Sequence, residues 1–178
     1  MSQPEREEER DEAELTAARQ KVYDVFNLLG IPYEATLHPP IFSAADEVRK
    51  DIKIDALICK NLFLRNKDKS RYYLFTLPLD KRADLVALQA ALGETRLSFG
   101  GADALWEHLH IRPGSVSLLN IIGAADKPSL HFLVDIEVLK VPRIGVHPND
   151  NGATIVFDPK HLTQIFEHYS AEFVFIEI

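Results

Sequence analysis

The stretch on which the fold turns reads Ala56-Leu57-Ile58-Cys59-Lys60-Asn61-Leu62-Phe63-Leu64-Arg65-Asn66, then Lys67-Asp68-Lys69-Ser70, then Arg71-Tyr72-Tyr73-Leu74-Phe75-Thr76-Leu77. Two apolar runs separated by a polar turn predict strands over 56–66 and 71–77 joined as a hairpin. Side chains alternate across a strand, so Ile58, Lys60, Leu62 and Leu64 share one face, and Leu57, Cys59, Asn61 and Phe63 share the other. Lys60 and Asn61 therefore interrupt a nearly continuous apolar strand, one on each side. An ammonium between Ile58 and Leu62 must reach water, lose its charge or meet an anion, because burying it unpaired is costly. A phosphate would satisfy it; an edge strand with the amine in solvent would do so equally well.

Outward from the hairpin the pattern mixes helices and strands. Leu15, Ala18, Val22, Val25, Phe26 and Leu29 recur at three- and four-residue steps, and Gly30 with Pro32 stops them, which predicts a first helix. Residues 1–12 are acidic and nearly free of apolar side chains, so they are expected to form a flexible tail or an extension of that helix, with the domain proper over 13–178. Tyr33–Leu37 is expected to run extended into the stiff His38-Pro39-Pro40, and Ser43 with Asp46 resembles a capping box opening a short helix over 44–50. Further helices are expected over 83–92, 102–108 and 159–169, the last entered through Asp158. Strands are expected over 115–122, paired with 130–135, and over 154–157 and 172–178. Irregular interleaving of paired strands with helices does not fit a doubly wound parallel fold. The expectation is a single α+β domain with a mixed, curved, partly barrel-like sheet surrounded by helices.

At 178 residues one such domain accounts for the chain, and its composition, 46% hydrophobic and 26% charged, is that of an ordinary globular protein. No apolar run approaches a membrane span, and a single cysteine allows no internal disulfide, so a reducing, cytoplasmic setting without a membrane is expected. The net charge of −7 hides an asymmetry: residues 49–82 hold ten of the 20 basic residues against four acidic ones. That could make a local footprint for a polyanion, or a set of solvated strand ends.

Single motifs decide little. Gly145-Val146-His147-Pro148-Asn149-Asp150-Asn151-Gly152-Ala153-Thr154 suits recognition of a small polar ligand and equally suits a plain turn. His108 and His110 lack companions at metal-ligand spacing, and no metal or other cofactor is expected. Cys59 is expected to be a packing residue, not a nucleophile.

Taken in order along the chain, several segments resemble the YbaK/ProX family of aminoacyl-tRNA editing proteins, related to the editing insertion of bacterial prolyl-tRNA synthetases. They are His38-Pro39-Pro40 with Ser43, Cys59–Leu64, Tyr72-Tyr73-Leu74, Arg96-Leu97-Ser98-Phe99, Pro113-Gly114-Ser115-Val116-Ser117, Asp135, and His147-Pro148 with Asn151 and Thr154. The pattern is most similar to the freestanding ProX-type branch. That resemblance implies hydrolysis of the ester in mischarged tRNA for proline, alanyl-tRNA first and cysteinyl-tRNA as the alternative enzyme, with a noncatalytic tRNA- or amino-acid-binding module of the same fold as the other class.

It implies Lys60 at the phosphate or terminal adenosine of the tRNA acceptor end and Asn61 at the ester or ribose. His147, with Gly145, would bound the aminoacyl pocket, and Ser43 and Val48 would limit its size. His38, Pro148, Asn151 and Thr154 belong to the same expected substrate site. It allows a transient association with prolyl-tRNA synthetase and implies no DNA partner. The chain departs from the family at Leu118–Gly123, where Pro-Phe and later Leu-Ile-Asn-Asp are usual, and at Ala44-Ala45, where a glutamate-containing helix start is usual.

Overall fold

A computed structural model describes residues 3–41, 51–122 and 129–178, with side chains from residue 11 onward. Helix α1 runs over Gln3–Leu29, so the acidic run is continuous with the first helix, and Asp11 within it pairs with Arg112 at 2.9 Å. Its apolar stripe buries Val22 and Phe26, and Phe26 meets Phe157 edge-on at 4.9 Å. Gly30 ends it with φ +66, a conformation that a side chain would strain.

The strands are β1 (Glu34–Leu37), β2 (Leu57–Asn66), β3 (Tyr72–Pro78), β4 (Leu97–Phe99), β5 (Leu130–Asp135), β6 (Ile144–Val146), β7 (Ala153–Phe157) and β8 (Phe173–Ile176). They form one mixed sheet in the order β1-β7-β6-β2-β3-β5-β8, with β4 also on β2. The hairpin is antiparallel, Cys59 opposite Pro78 through Arg65 opposite Tyr72. β3 pairs in parallel with β5, and β5 with β8. Edge strands β1 and β8 do not pair with each other among the described residues, so the sheet stays open.

Among the described residues three further helices flank it: α2 (Leu85–Ala91), α3 (Ala102–Leu109) and α4 (Leu162–His168). Asp84 caps α2 by accepting from the amides of Val86 and Ala87, and Asp158 starts the 3₁₀ turn Pro159–His161 that leads into α4. The α+β expectation holds.

β2 divides the interior. Cys59 and Phe63 face a large core with Leu74, Phe132, Ile155 and Phe166, whereas Leu64 faces a smaller one with Phe75, Leu77 and Leu88 of α2. Two-sided burial explains why the hairpin reads as almost unbroken apolar sequence.

The strand expected over 115–122 is absent, and its place is taken by a 3₁₀ turn, Leu118–Ile121. A short apolar run cannot by itself distinguish a buried strand from a buried helical turn. Local hydrogen bonds decide here: the Ser117 hydroxyl accepts from the Leu119 amide, and the Asn120 side chain accepts from the Ser117 amide at 2.7 Å. β5 therefore finds its partners in β3 and β8 instead. β4 and β6, at three residues each, carry too few alternations to be read from sequence. The expected helix over 44–50 lies outside the described residues.

Candidate active site

The outer edge of β2 is shared by two short strands. β6 pairs there at Leu57 and Ile58, and β4 pairs at Leu64, Arg65 and Asn66. Among the described residues no strand pairs with that edge in between, so the sheet parts at Lys60 and Asn61. A break between strands is where a ligand can approach backbone and side chains together.

On the β6 side of the break the expected residues converge. β2 and β6 run parallel with Ile58 opposite Gly145, and the alternation from that pair assigns Lys60 and His147 to one face. β7 brings Thr154 to the same face, and β1, with Thr36 opposite Thr154, delivers His38 two residues later. A Cβ on Gly145 would stand 2.7 Å from Ile58 Cδ1 and 3.2 Å from Thr154 Cγ2, so this close packing of three strands requires glycine.

Hydrogen bonds fix both imidazoles. His38 Nδ1 lies 2.9 Å from the Pro39 carbonyl and Nε2 lies 2.9 Å from Thr154 Oγ1. A carbonyl only accepts, so in the neutral ring Nδ1–H donates to Pro39 and Nε2 accepts from the threonine hydroxyl. His147 Nδ1 is 3.0 Å from the Ala153 carbonyl, which by the same reasoning makes Nε2 the acceptor nitrogen of a neutral His147. The two rings are 6.4 Å apart between centroids.

The loop carrying His147 is no plain surface turn, because Pro148, Asn149, Asp150 and Asn151 are buried. Asn149 takes φ +61; its side chain accepts from Asn120 at 2.8 Å and donates to the Leu119 carbonyl at 3.0 Å. The Ser117 hydroxyl donates to the His147 carbonyl at 2.5 Å. Asp150 accepts from the Gly152 amide at 2.8 Å and forms an ion pair with Arg19 of α1. The carbonyls of Gly152 and Asn151 in turn accept from the amides of His38 and Ile41, at 2.9 Å each. Sequence reading missed Arg19, Ser117 and Asn120 as supports, since their partners lie 131, 30 and 29 positions away.

Asn61 leaves β2 on the other face, where its side-chain oxygen accepts from the Thr76 hydroxyl at 2.7 Å. Thr76 is fully buried and directly opposite Asn61, so it orients the carboxamide with its NH₂ as the remaining donor group. The hairpin register was the signal that could have found Thr76. Ser43 and Val48 lie outside the described residues. Lys60 is half-buried and has no ion-pair partner among the described residues.

The described part of the basic stretch, residues 51–82, does not form one patch. Arg65, Lys67, Lys69 and Arg71 gather at the hairpin turn, about 20 Å along the strands from Lys60 at 3.3 Å per residue. Arg71 approaches Glu94 at 3.6 Å, and Lys81 pairs with the fully buried Asp135 at 2.7 Å.

Cys59 is 3% exposed, and burial pushes its thiol up to about 12. Tyr73 also rises to about 12, through burial and then through its 2.5 Å hydrogen bond to Glu94. Both groups hold their protons more tightly folded than unfolded, so stability is constant below the unfolded pKa and falls as pH rises toward 12. Urea unfolding should show a declining midpoint above about pH 9, and at pH 8 a thiol reagent should label Cys59 only in the unfolded protein. Rapid native labelling would contradict the packing role.

An α+β domain with a break in a mixed sheet, bordered by a lysine and two oriented histidines, is the class of protein this geometry defines. The sequence pattern of the aminoacyl-tRNA editing domain matches residues 38–165. The prolyl-tRNA editing protein ProX of Acetoanaerobium sticklandii is 31% identical over 161 residues, covering 90% of this chain and 98% of that one. The mouse prolyl-tRNA synthetase associated domain-containing protein 1 is 28% identical over 136 residues, covering 74% of this chain and 79% of its own.

Among solved structures, hypothetical protein APE2540 superposes with a TM-score of 0.67 at 17% identity, over 87% of this chain and 97% of its own. A candidate trans-editing enzyme for prolyl tRNA synthetase gives 0.65 at 17% identity, over 90% and 97%. These two speak to the fold. The chain belongs to the aminoacyl-tRNA editing domain family. No helix among the described residues is long and apolar enough to cross a membrane.

Proposed function

We propose that this chain removes alanine from mischarged tRNA for proline, acting in trans on the acceptor end. The observation that carries the proposal is the gathering of Lys60, His147, His38, Thr154 and Gly145 on one face at the break beside β2.

Lys60 meets a phosphate or the terminal adenosine of the acceptor end, which offsets the cost of holding an ammonium among apolar neighbours. His147, held by the Ala153 carbonyl, presents Nε2 toward the ester. Hydrolysis adds water across the ester: the carbonyl carbon gains the water oxygen, its bond to the ribose oxygen breaks, and that oxygen leaves with a proton as a hydroxyl. An activated ester needs mainly positioning and hydrogen bonding, so no enzyme nucleophile is required. Asn61, braced by Thr76 on the opposite face, serves the same strand position through its NH₂.

Ser43, Val48, Pro148 and Asn151 complete the substrate pocket in this reading. A small pocket admits alanine and rejects proline by overlap, which discriminates more strongly than missing contact would. Transient contact with prolyl-tRNA synthetase would deliver the substrate, and a cytoplasmic setting follows from that supply.

A deacylation panel tests this. Alanine should be released from alanyl-tRNA for proline, more slowly from alanyl-tRNA for alanine, and prolyl-tRNA should survive. Preferred release of cysteine would reassign the substrate. Binding of charged tRNA with no release above the protein-free rate would sink the deacylase reading.

A further inference from the structure

On the far shore of the break stands an aromatic ring with no assigned part in the reaction. Phe99 closes β4 opposite Leu64 and is 61% exposed, although β4 is otherwise anchored by buried Leu97. Alternation places Phe99 on the face of Leu64, Leu62 and Lys60, the same face that carries His147 and His38. Its backbone is held firmly: the Gly100 amide donates to the Phe63 carbonyl at 2.8 Å. A Cβ on Gly100 would stand 2.3 Å from the Phe63 ring, so glycine is needed to seat β4 so close to β2. The ring thus stands outward on a firmly held backbone.

Its position along β2 is informative. Leu64 lies four residues from Lys60, about 13 Å along the strand, which exceeds the roughly 3.4 Å spacing of stacked bases several-fold. One nucleotide cannot touch both; a single strand of a few can. A cation with an exposed aromatic further along the same strand edge is the combination by which proteins hold unpaired nucleic acid, the cation taking phosphate and the ring taking a base face.

We infer that Phe99 is a stacking platform for a base of the single-stranded 3′ end, one or more nucleotides before the residue whose ester is cleaved. The inference rests on the editing function proposed above and adds a second contact to it. The strand lies across the break in the sheet, with its terminus on the His147 shore and an upstream base on Phe99. Stacking tolerates any base, so this contact supplies grip and direction; choice of amino acid stays with the pocket.

The test uses binding of the full chain to a fluorescein-labelled, unacylated RNA 12-mer ending in CCA, followed by anisotropy. Phe99→Ala should weaken binding about ten-fold or more, Phe99→Trp should retain it, and thermal melting should confirm that both variants fold. Deacylation of alanyl-tRNA by Phe99→Ala should show raised KM with kcat largely kept, while hydrolysis of an aminoacyl-adenosine lacking upstream nucleotides should be unchanged.

Equal RNA affinity of Phe99→Ala and the parent overturns the inference. So does loss of synthetase association with RNA binding intact, which would make Phe99 a protein-docking residue. Hydrolysis is not needed for the anisotropy readout, so a chain that binds RNA through Phe99 but cleaves nothing would refute the deacylase reading alone.

Discussion

Lys60→Ala is expected to lower kcat/KM for deacylation about a hundred-fold while leaving the melting temperature unchanged or slightly higher. The two halves of that result have one cause. Lys60 sits between Ile58 and Leu62 on a half-buried strand with no carboxylate partner among the described residues, so its ammonium contributes little to folding. Facing an anionic nucleotide, the same ammonium forms a charge-assisted contact worth about 1.5–3 kcal/mol, the upper end of which is roughly a hundred-fold in rate. Lys60→Arg should recover part of the activity, since it restores charge without the compact geometry. Single-turnover deacylation with thermal melting checks both halves; an active Lys60→Ala protein would remove the lysine from the mechanism.

The second large effect is expected at Asp150, far from the chemistry in kind although close in space. Asp150→Ala removes the partner of Arg19 and the acceptor for the Gly152 amide. Deleting one member of a buried pair leaves the other charge uncompensated and typically costs about 3 kcal/mol or more. The loss would be read in urea unfolding and should resist screening by salt, because Asp150 is almost wholly enclosed.

Activity should fall with it, since the Gly152 carbonyl holds His38 and the Ala153 carbonyl holds His147. Asp150→Asn, which keeps an oxygen for the Gly152 amide, should lie between the two. Arg19→Ala should reproduce much of the loss of activity even though Arg19 belongs to α1, outside the segment 38–165 that matches the editing domain. Unchanged unfolding in Asp150→Ala would show that the pair is dispensable.

The hairpin, the nearly unbroken apolar run of β2, the C-terminal end of α1 and the entry to α4 were legible from residues alone. Each depends on neighbours within a few positions: alternation, Asp158 at a helix entry, a stopping Gly30. The same local reasoning failed at Ser115–Ile122, where periodicity suggested a strand and side-chain hydrogen bonds from Ser117 and Asn120 wound the chain into a 3₁₀ turn. The concentration of charge over 49–82 was also real in sequence, yet extended strands carry its members to opposite ends of the sheet.

What the order of amino acids determined by itself was the class of fold and the two polar residues that break an apolar strand, because these are properties of spacing and local periodicity; the family was legible only through the resemblance of its ordered motifs. Tertiary structure alone decided that β6 and β4 leave a break at Lys60, that His38 and His147 come together on its β6 side, and that Arg19 and Thr76 brace the site. Those facts depend on pairing between segments up to 131 positions apart, and such pairing is set by which surfaces bury each other, not by any signal within one segment.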